Sequence, residues 1–421
     1  MEYFFGGVSL TKKLFHSSAL GALDAVSRKE FWASLALKYT KGLGGRTYKK
    51  LLISFGSAFE ALQQVKKWKQ LGIPSDKSLG ILSDSWRAGA KKEWEAVRGC
   101  YGTILLWTDP RYPNLLKEIS DPPLFLYCLG DISLLENPCI AIVGTRKCSI
   151  EGIRVTRAFA KGLATAGITV VSGMALGIDR EAHLSSIDFP GKTIGVLGSG
   201  INISYPRQNS DVRELLVNKG LLISEYAPGT RPEPGFFPTR NRIISGLSLG
   251  VLIVEAALHS GSLITARLAL EQNRSVYAIP GAIGSPFAEG CQDLIREGAR
   301  PIFSVDDILH DLSESLKGFI NQYNKQDIIY KEKKEGLEEQ DIMLSLPASN
   351  DKTTVINKQS QYKTFGKIER QIIDIIRLEP KDIDQLCQLL QLPAEEISPI
   401  LIILEIEGII KRLPNTQYVL A

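Results

Sequence analysis

Paired cysteines are the first thing this sequence lacks. Its six cysteines, at 100, 128, 139, 148, 291 and 387, are scattered, and no two stand at CxxC spacing. That argues against a zinc site or a disulfide framework and suits a reducing compartment. Long apolar runs are lacking too, since nothing approaches the roughly 18 residues of a membrane span. The N-terminus has no basic segment leading into an apolar one, so no export signal is expected and the predicted location is the cytoplasm. Neither GxxxxGK[ST] nor GxGxxG occurs, which excludes a P-loop nucleotidase and an ordinary dinucleotide site. No metal and no cofactor is expected.

What is present suggests two or three domains in 421 residues, with 44% hydrophobic and 23% charged side chains. The net charge of +4 says little, but its distribution says more. Over residues 1–99 Lys and Arg outnumber Asp and Glu about two to one. A basic first domain fits a nucleic-acid partner. Its centre is "GLGGRTYKKLLISFGSAFEAL", two helical stretches around a Gly-x-Gly turn of the helix-hairpin-helix kind. Such a turn aims backbone N–H groups outward, and Arg46, Lys49 and Lys50 beside it are additional candidate DNA contacts.

From residue 100 to about 312 the pattern changes. Apolar β-branched runs ("CIAIVG", "ITVVSG", "TIGVLGSG", "LLISEY", "GVLIVEA", "SVYAIPG") alternate with helical segments. Continuous apolar strands separated by helices predict a doubly wound α/β domain with a parallel sheet covered on both faces. Residues 313–362 are polar, charged and aperiodic, as expected of a flexible linker. Residues 363–421 give three short helices and a β-ribbon, the outline of a winged helix. Its third helix is expected to begin near Pro393 and its wing is "GIIKRLPNTQYVL". Acids outnumber bases there, and Glu395 and Glu396 fall where a recognition helix would meet phosphates, so a protein-binding or packing role is expected of it.

Ligands of open α/β sheets bind outside the carboxyl ends of the strands. Those ends read "VGTRKCS", "VSGMALGID", "LGSGINISYP", "SEYAPGTRPEPGFFPTRNR" and "EAALHSGSLITA". Glycines and hydroxyl residues recur, joined by arginines, as a crevice for phosphate oxygens requires. The candidate contacts are Gly144, Thr145, Arg146, Ser172, Gly173, Gly198, Ser199, Phe237, Arg240, Asn241, Arg242, Ser262 and Thr265. Arg240 and Arg242 stand near a predicted helix start, the end that already favours anions. Phe236 or Phe237 can stack on an unpaired base, so the set favours a single strand. One of Arg240 and Arg242 is expected to pair internally with Glu225 or Glu255. No catalytic trio assembles: His183, Asp179 and Glu181 suit capping and packing as well as acid–base work, and His259 lacks an acidic neighbour.

"IAIVGTR", "VVSGMALGIDREAH", "GVLGSGINISYP", "FPTRNRIISGLS" and "EAALHSGSLITARLALEQNRSVYAIPG" occur in order over residues 103–305. Together they resemble the bacterial DNA-processing protein A (DprA or Smf) family. The resemblance implies an extended Rossmann-like domain between a helix-hairpin-helix or SAM-like N-terminal domain and a winged-helix C-terminal domain. It implies a non-enzymatic, single-stranded DNA-binding mediator of natural transformation. Such a protein protects incoming DNA, displaces single-strand binding protein and loads RecA, working as a homodimer. One departure is "SPFAEGCQDLIREGA", where Ala288-Glu289 and Gln292 replace a usual serine and asparagine. The rival is a nucleotide-processing phosphoribohydrolase on a lysine-decarboxylase-like scaffold, with Glu255 or Asp179 as the acid at the ribose.

Overall fold

The computed structural model describes residues 18–82, 85–317 and 367–394, then 397, 400, 401, 404, 409–413 and 417–420. The expected linker lies almost wholly outside the described residues, as do Glu395 and Glu396. Contacts divide the chain into a compact unit up to Ile308 and a second unit from Leu309.

Among the described residues the first unit opens with five α-helices: α1 (Ala25–Tyr39), α2 (Gly45–Phe55), α3 (Ala58–Gln63), α4 (Ser75–Leu82) and α5 (Arg87–Arg98). Asp24 and Ser57 cap α1 and α3 by accepting N–H bonds from Ser27 and Glu60. Gly42, at φ +83°, takes the left-handed turn between α1 and α2 that a side chain would strain.

Nine strands follow: β1 (Thr103–Leu106), β2 (Phe125–Gly130), β3 (Cys139–Val143), β4 (Thr169–Ser172), β5 (Thr193–Val196), β6 (Leu221–Ser224), β7 (Gly250–Ile253), β8 (Ser275–Ala278) and β9 (Arg300–Pro301). They form one sheet in the order β1-β2-β6-β5-β4-β3-β7-β8-β9. From β6 to β9 all neighbours are parallel, while β2 joins β6 and β1 joins β2 antiparallel. The chain steps from β3 out to β6, then returns to lay β7 on the other side of β3. This is a doubly wound sheet with its switch point between β3 and β7. Strands β3 to β7 are buried along their whole length, which is why they read as unbroken apolar runs.

The connecting helices are α6 (Asn114–Glu118), α7 (Ile150–Thr165), α8 (Ile178–Ser186), α9 (Ser210–Lys219), α10 (Phe236–Leu247), α11 (Gly261–Glu271), α12 (Glu289–Arg296) and α13 (Val305–Asp311). Among them α7 packs on α8 and α10 on α11.

The helical block shares one hydrophobic core with the sheet, running from Phe31 and Trp68 to Leu222 and Ile253. The Phe31 ring meets Phe125 of β2 edge-on at 5.0 Å between centroids. Glu93 of α5, 2% exposed, accepts bonds from Lys38 Nζ (2.7 Å), Tyr39 OH (2.7 Å) and Tyr127 OH (2.6 Å). A buried carboxylate needs such partners, and these come from α1 and from β2.

In the second unit, α14 (Lys367–Leu378) and α15 (Ile383–Leu390) precede an antiparallel pair, β10 (Ile410–Arg412) and β11 (Tyr418–Leu420). Asp382 and Gln385 close a capping box at the start of α15. Ile397, Leu401 and Leu404 are buried at helical spacing between them, in a core with Ile372, Ile376 and Leu386. This is the winged helix, with β10 and β11 as its wing.

Replacing Glu93 with alanine strands three donors between the helical block and β2. We expect it to lower the unfolding free energy by about 2–4 kcal/mol. Urea denaturation followed by tryptophan fluorescence checks this, and an unchanged midpoint would show that the block is held by apolar packing alone.

Candidate nucleic-acid interface

At the switch point the loops leaving β3 and β7 are laced together. Thr145 N donates to Glu255 O (2.8 Å) and Val254 N to Val143 O (3.2 Å). The Glu255 carboxylate accepts from Ser149 N (2.9 Å) and Ser149 Oγ, while Ser149 Oγ caps α7 by accepting from Gly152 N (2.9 Å). A Cβ at Gly152 would fall 2.4 Å from that carboxylate, so the close approach requires glycine. Gly144 has the same constraint, since its Cβ would meet Ile178 at 2.7 Å and Glu255 O at 2.9 Å. These glycines serve loop-on-loop contact, and Glu255 holds the start of α7.

The β4 loop also turns inward. Gly173 N and Ala175 N donate to Asp179 Oδ2 at 3.1 and 3.2 Å, and Asn209 Nδ2 donates to Met174 O and Ala175 O, both at 2.9 Å. Met174 between them sits at φ +58°, a left-handed position unusual for a side chain of its size. Under this loop lies Arg240 of α10, only 4% exposed. Its guanidinium donates to Gly173 O (2.6 Å) and Val196 O, and its Nε to Asn241 Oδ1 (3.2 Å). Burial pulls its pKa down to about 10, with Asp179 acting against that shift. Burial likewise raises the pKa of Asp179, opposed by Arg240 and the loop amides.

Several expected contacts are therefore corrected. Arg240 is a buried brace beneath the crevice floor, because two carbonyls and Asp179 surround its charge. Arg242 is held in ion pairs with Glu225 Oε2 (2.5 Å) and Asp121 Oδ2 (3.1 Å), so it is the arginine that pairs internally with Glu225. Asn241 accepts from Arg240. Ser172 Oγ donates to Ile142 O (2.7 Å), and Gly173 N is turned to Asp179. Ser199, Ser262 and Thr265 are buried, with Ser262 Oγ 2.8 Å from Ser260 Oγ. Lys49 donates to Glu118 O (2.6 Å) and Ile119 O (2.9 Å), closing the end of α6, whereas Arg46 and Lys50 are exposed.

The suggested acid–base trio is also dispersed. Glu181 pairs with Arg157 (2.8 Å) and Asp179 faces the β4 loop. His183, fully buried, places Nδ1 2.7 Å from Thr193 Oγ1, whose hydroxyl donates to Val170 O. Burial, aided by Arg240, lowers its pKa to about 3, so the imidazole is neutral.

What reaches the surface is a smaller set. Arg146 and Lys147 are exposed after β3. The Arg146 guanidinium lies over the Phe237 ring, 5.8 Å from its centroid. Tyr205, 44% exposed, flanks the same ring at 5.6 Å with an interplanar angle of 33°. Gly198 makes the room: a Cβ there would come 2.9 Å from the Phe237 ring. The neighbouring Phe236 turns away to stack on Tyr226 at 4.5 Å, so Phe237 is the aromatic of the pair at the cation. Sequence reasoning missed Tyr205, whose only signal was the Tyr-Pro step closing the β5 loop. A ring under a guanidinium with a second ring beside it, at the carboxyl edge of a parallel sheet, can accept a flat π-surface carrying negative charge.

Comparison with known proteins gives matches along most of the chain. The model of the family "DNA recombination-mediator protein A" matches residues 103–313, and that of the "DprA winged helix domain" matches residues 365–416. Protein Smf of Synechocystis sp. is 34% identical over 407 residues, 94% of this chain and 99% of that protein. DNA processing protein DprA of Streptococcus pneumoniae is 43% identical over 201 residues, 48% of this chain and 71% of that one. An X-ray structure of DprA from Streptococcus pneumoniae matches with a TM-score of 0.58 at 34% identity, covering 66% of this chain and 97% of that chain. A structure of DNA processing protein A from Helicobacter pylori, described for its single-stranded DNA binding mode, gives a TM-score of 0.47 at 32% identity, covering 51% and 97%.

The buried His183 generates a pH prediction. Its folded pKa, about 3, is depressed below the ordinary 6.5, so the stability it contributes is present above pH 6.5 and lost as pH falls towards 3. Between pH 7 and pH 5 this one group should remove about 2 kcal/mol of folding stability. Denaturant titrations at the two pH values check it. The pH difference should shrink by that amount in His183→Gln, and an equal pH difference in both proteins would mean that folding does not depress the His183 pKa.

Proposed function

As a member of the DNA recombination-mediator protein A family, this chain is a DNA-processing recombination mediator, and we propose that it works by holding single-stranded DNA along the carboxyl edge of its sheet. The observation that carries the reading is the Arg146 guanidinium over Phe237, with exposed Tyr205 alongside. An aromatic ring can stack only on an unpaired base, because a duplex hides base faces. Arg146 adds a charge for the adjoining phosphate, and exposed Lys147 follows it. Gly144, Thr145 and Gly198 shape the rim on which these groups stand.

In natural transformation the bound strand would be protected, single-strand binding protein displaced and RecA loaded, with two copies of the chain acting together. Those steps are carried by the family resemblance. Catalysis has no such support. Glu255 is engaged at Ser149 and Asp179 at the β4 loop beside Arg240, so the two acids a phosphoribohydrolase would use are both committed to structure.

Fluorescence anisotropy with a short labelled oligonucleotide tests the site. Arg146→Ala and Phe237→Ala should each weaken single-strand binding by about 1–3 kcal/mol. They should differ in salt dependence. Loss of Arg146 makes the slope shallower by about 0.7, while loss of the Phe237 ring leaves it unchanged. Arg240→Ala should instead lower folding stability, since it removes a brace. Wild-type binding in both surface variants would mean that the strand lies elsewhere.

The second copy and the absence of turnover are tested together. Light scattering at micromolar concentration should report a dimer mass, and incubation with nucleoside monophosphates should release no free base. A monomer that releases base steadily, and stops when Glu255 is replaced by glutamine, would promote the enzyme reading.

A further inference from the structure

The face of the helical block around the α1–α2 turn carries cations with almost no acids among them. Lys41, Arg46, Lys50 and Lys69 are exposed and Lys77 is half-buried. Lys77 lies over the Gly42 turn, 3.9 Å from where a Cβ would stand. Lys50 Nζ lies 3.8 Å from the equivalent point at Gly72, the residue whose N–H bonds back to Lys69 O. Arg46 and Lys50 are four apart on α2 and share a face. The five positions are thus contiguous, and among the described residues none of them pairs with a carboxylate. Between residues 41 and 82 the only acids are Glu60 and Asp76. Like charges at i,i+4 destabilise a helix, and an ordinary solvated face mixes signs. The clustering therefore calls for an anionic partner.

That partner needs no base faces. The nearby tryptophan, Trp68, is fully buried, so no indole is offered for stacking and recognition must rest on charge. The face is also joined to the crevice. Gly45, next to Arg46, packs so tightly on Asp121 that a Cβ would meet its Cα at 2.9 Å. Asp121 pairs with Arg242 of α10, five residues beyond Phe237, or about 7.5 Å along the helix.

We propose that this basic face is a second nucleic-acid surface, which grips the phosphodiester backbone of DNA extending beyond the segment held at Arg146 and Phe237. The contact is through phosphates alone and is independent of sequence. It rests on the single-strand reading above only for its continuity with the crevice. An unpaired strand and the duplex part of a tailed molecule present the same backbone chemistry, and the experiment separates them.

The test uses the full chain carrying Arg46→Gln, Lys50→Gln and Lys69→Gln together, with folding checked by circular dichroism. Binding is followed across a salt series on three probes: an oligonucleotide of about 8 residues, one of about 40, and a duplex with an 8-residue single-stranded tail. The 8-mer should bind as to wild type. The 40-mer should lose at least tenfold in affinity, with a salt slope shallower by about 2 (three contacts at about 0.7 each), if the backbone is single-stranded. The tailed duplex should instead show a drop approaching 3 if it is double-stranded. Wild-type slopes on both extended probes would overturn the proposal and leave an acidic protein as the partner. Equal weakening on all three would overturn it as well, by placing these cations in the crevice. Arg146→Ala in parallel keeps the two readings apart, because its failure to affect the 8-mer would count against the crevice and not against this face.

Discussion

A guanidinium buried beneath the carboxyl ends of β4 and β5 is the constraint on which the crevice depends. Taking a charge out of water costs several kcal/mol unless its donors find acceptors and a counter-charge stands near. Arg240 meets that condition with Gly173 O after β4, Val196 O at the end of β5, Asn241 Oδ1 beside it and Asp179 on α8. Asp179 in turn takes two amides of the β4 loop. One side chain therefore fixes two strand ends and two helices relative to each other. Phe237 precedes Arg240 by three residues, about one helical turn, so the half-buried ring stands where the buried charge puts its helix.

Arg242 extends the same logic outward. It ties α10 to Glu225 after β6 and to Asp121, the residue on which Gly45 of α2 is seated. Lys38 of α1 approaches Glu225 O as well as Glu93. The helical block and the crevice helix are thereby held by neighbouring charges. The two arginines expected near a helix start lie in the second turn of α10, which begins at Phe236, and serve there as internal struts. The cation left for a ligand, Arg146, comes from a different loop.

The sheet was legible because strands buried on both faces leave unbroken apolar runs, and the wing because a short ribbon follows buried positions at helical spacing. The division of the arginines was not. Nothing adjacent to "TRNR" announces that Gly173 O and Val196 O will surround Arg240; strand order brings them there from 67 and 44 positions away. The hydroxyls of Ser172 and Thr265 were misread for the same reason, since their burial depends on which loop lies above them. Gly144 looked like a phosphate-cradling glycine, yet its missing Cβ makes room for Ile178 and the Glu255 carbonyl, as that of Gly152 does for the Glu255 carboxylate. Tyr205 sits in an irregular loop, where no periodicity marks which way a ring will turn.

A site of two rings and two exposed cations can hold only a few nucleotides, so tight binding must come from adding contacts. A second contact adds most when it is presented at a fixed distance, because the strand then gives up only its own freedom and no linker must be ordered. The helical block meets that requirement through its common core with the sheet, the Glu93 cluster and the Gly45–Asp121 seat. On the proposed reading, stacking at Phe237 and Tyr205 selects an unpaired base, while the basic face supplies affinity without selectivity. Separating the two keeps the selective contact small and the affinity adjustable by salt. A single large basic crevice would bind duplex and single strand alike, which is the outcome this arrangement avoids.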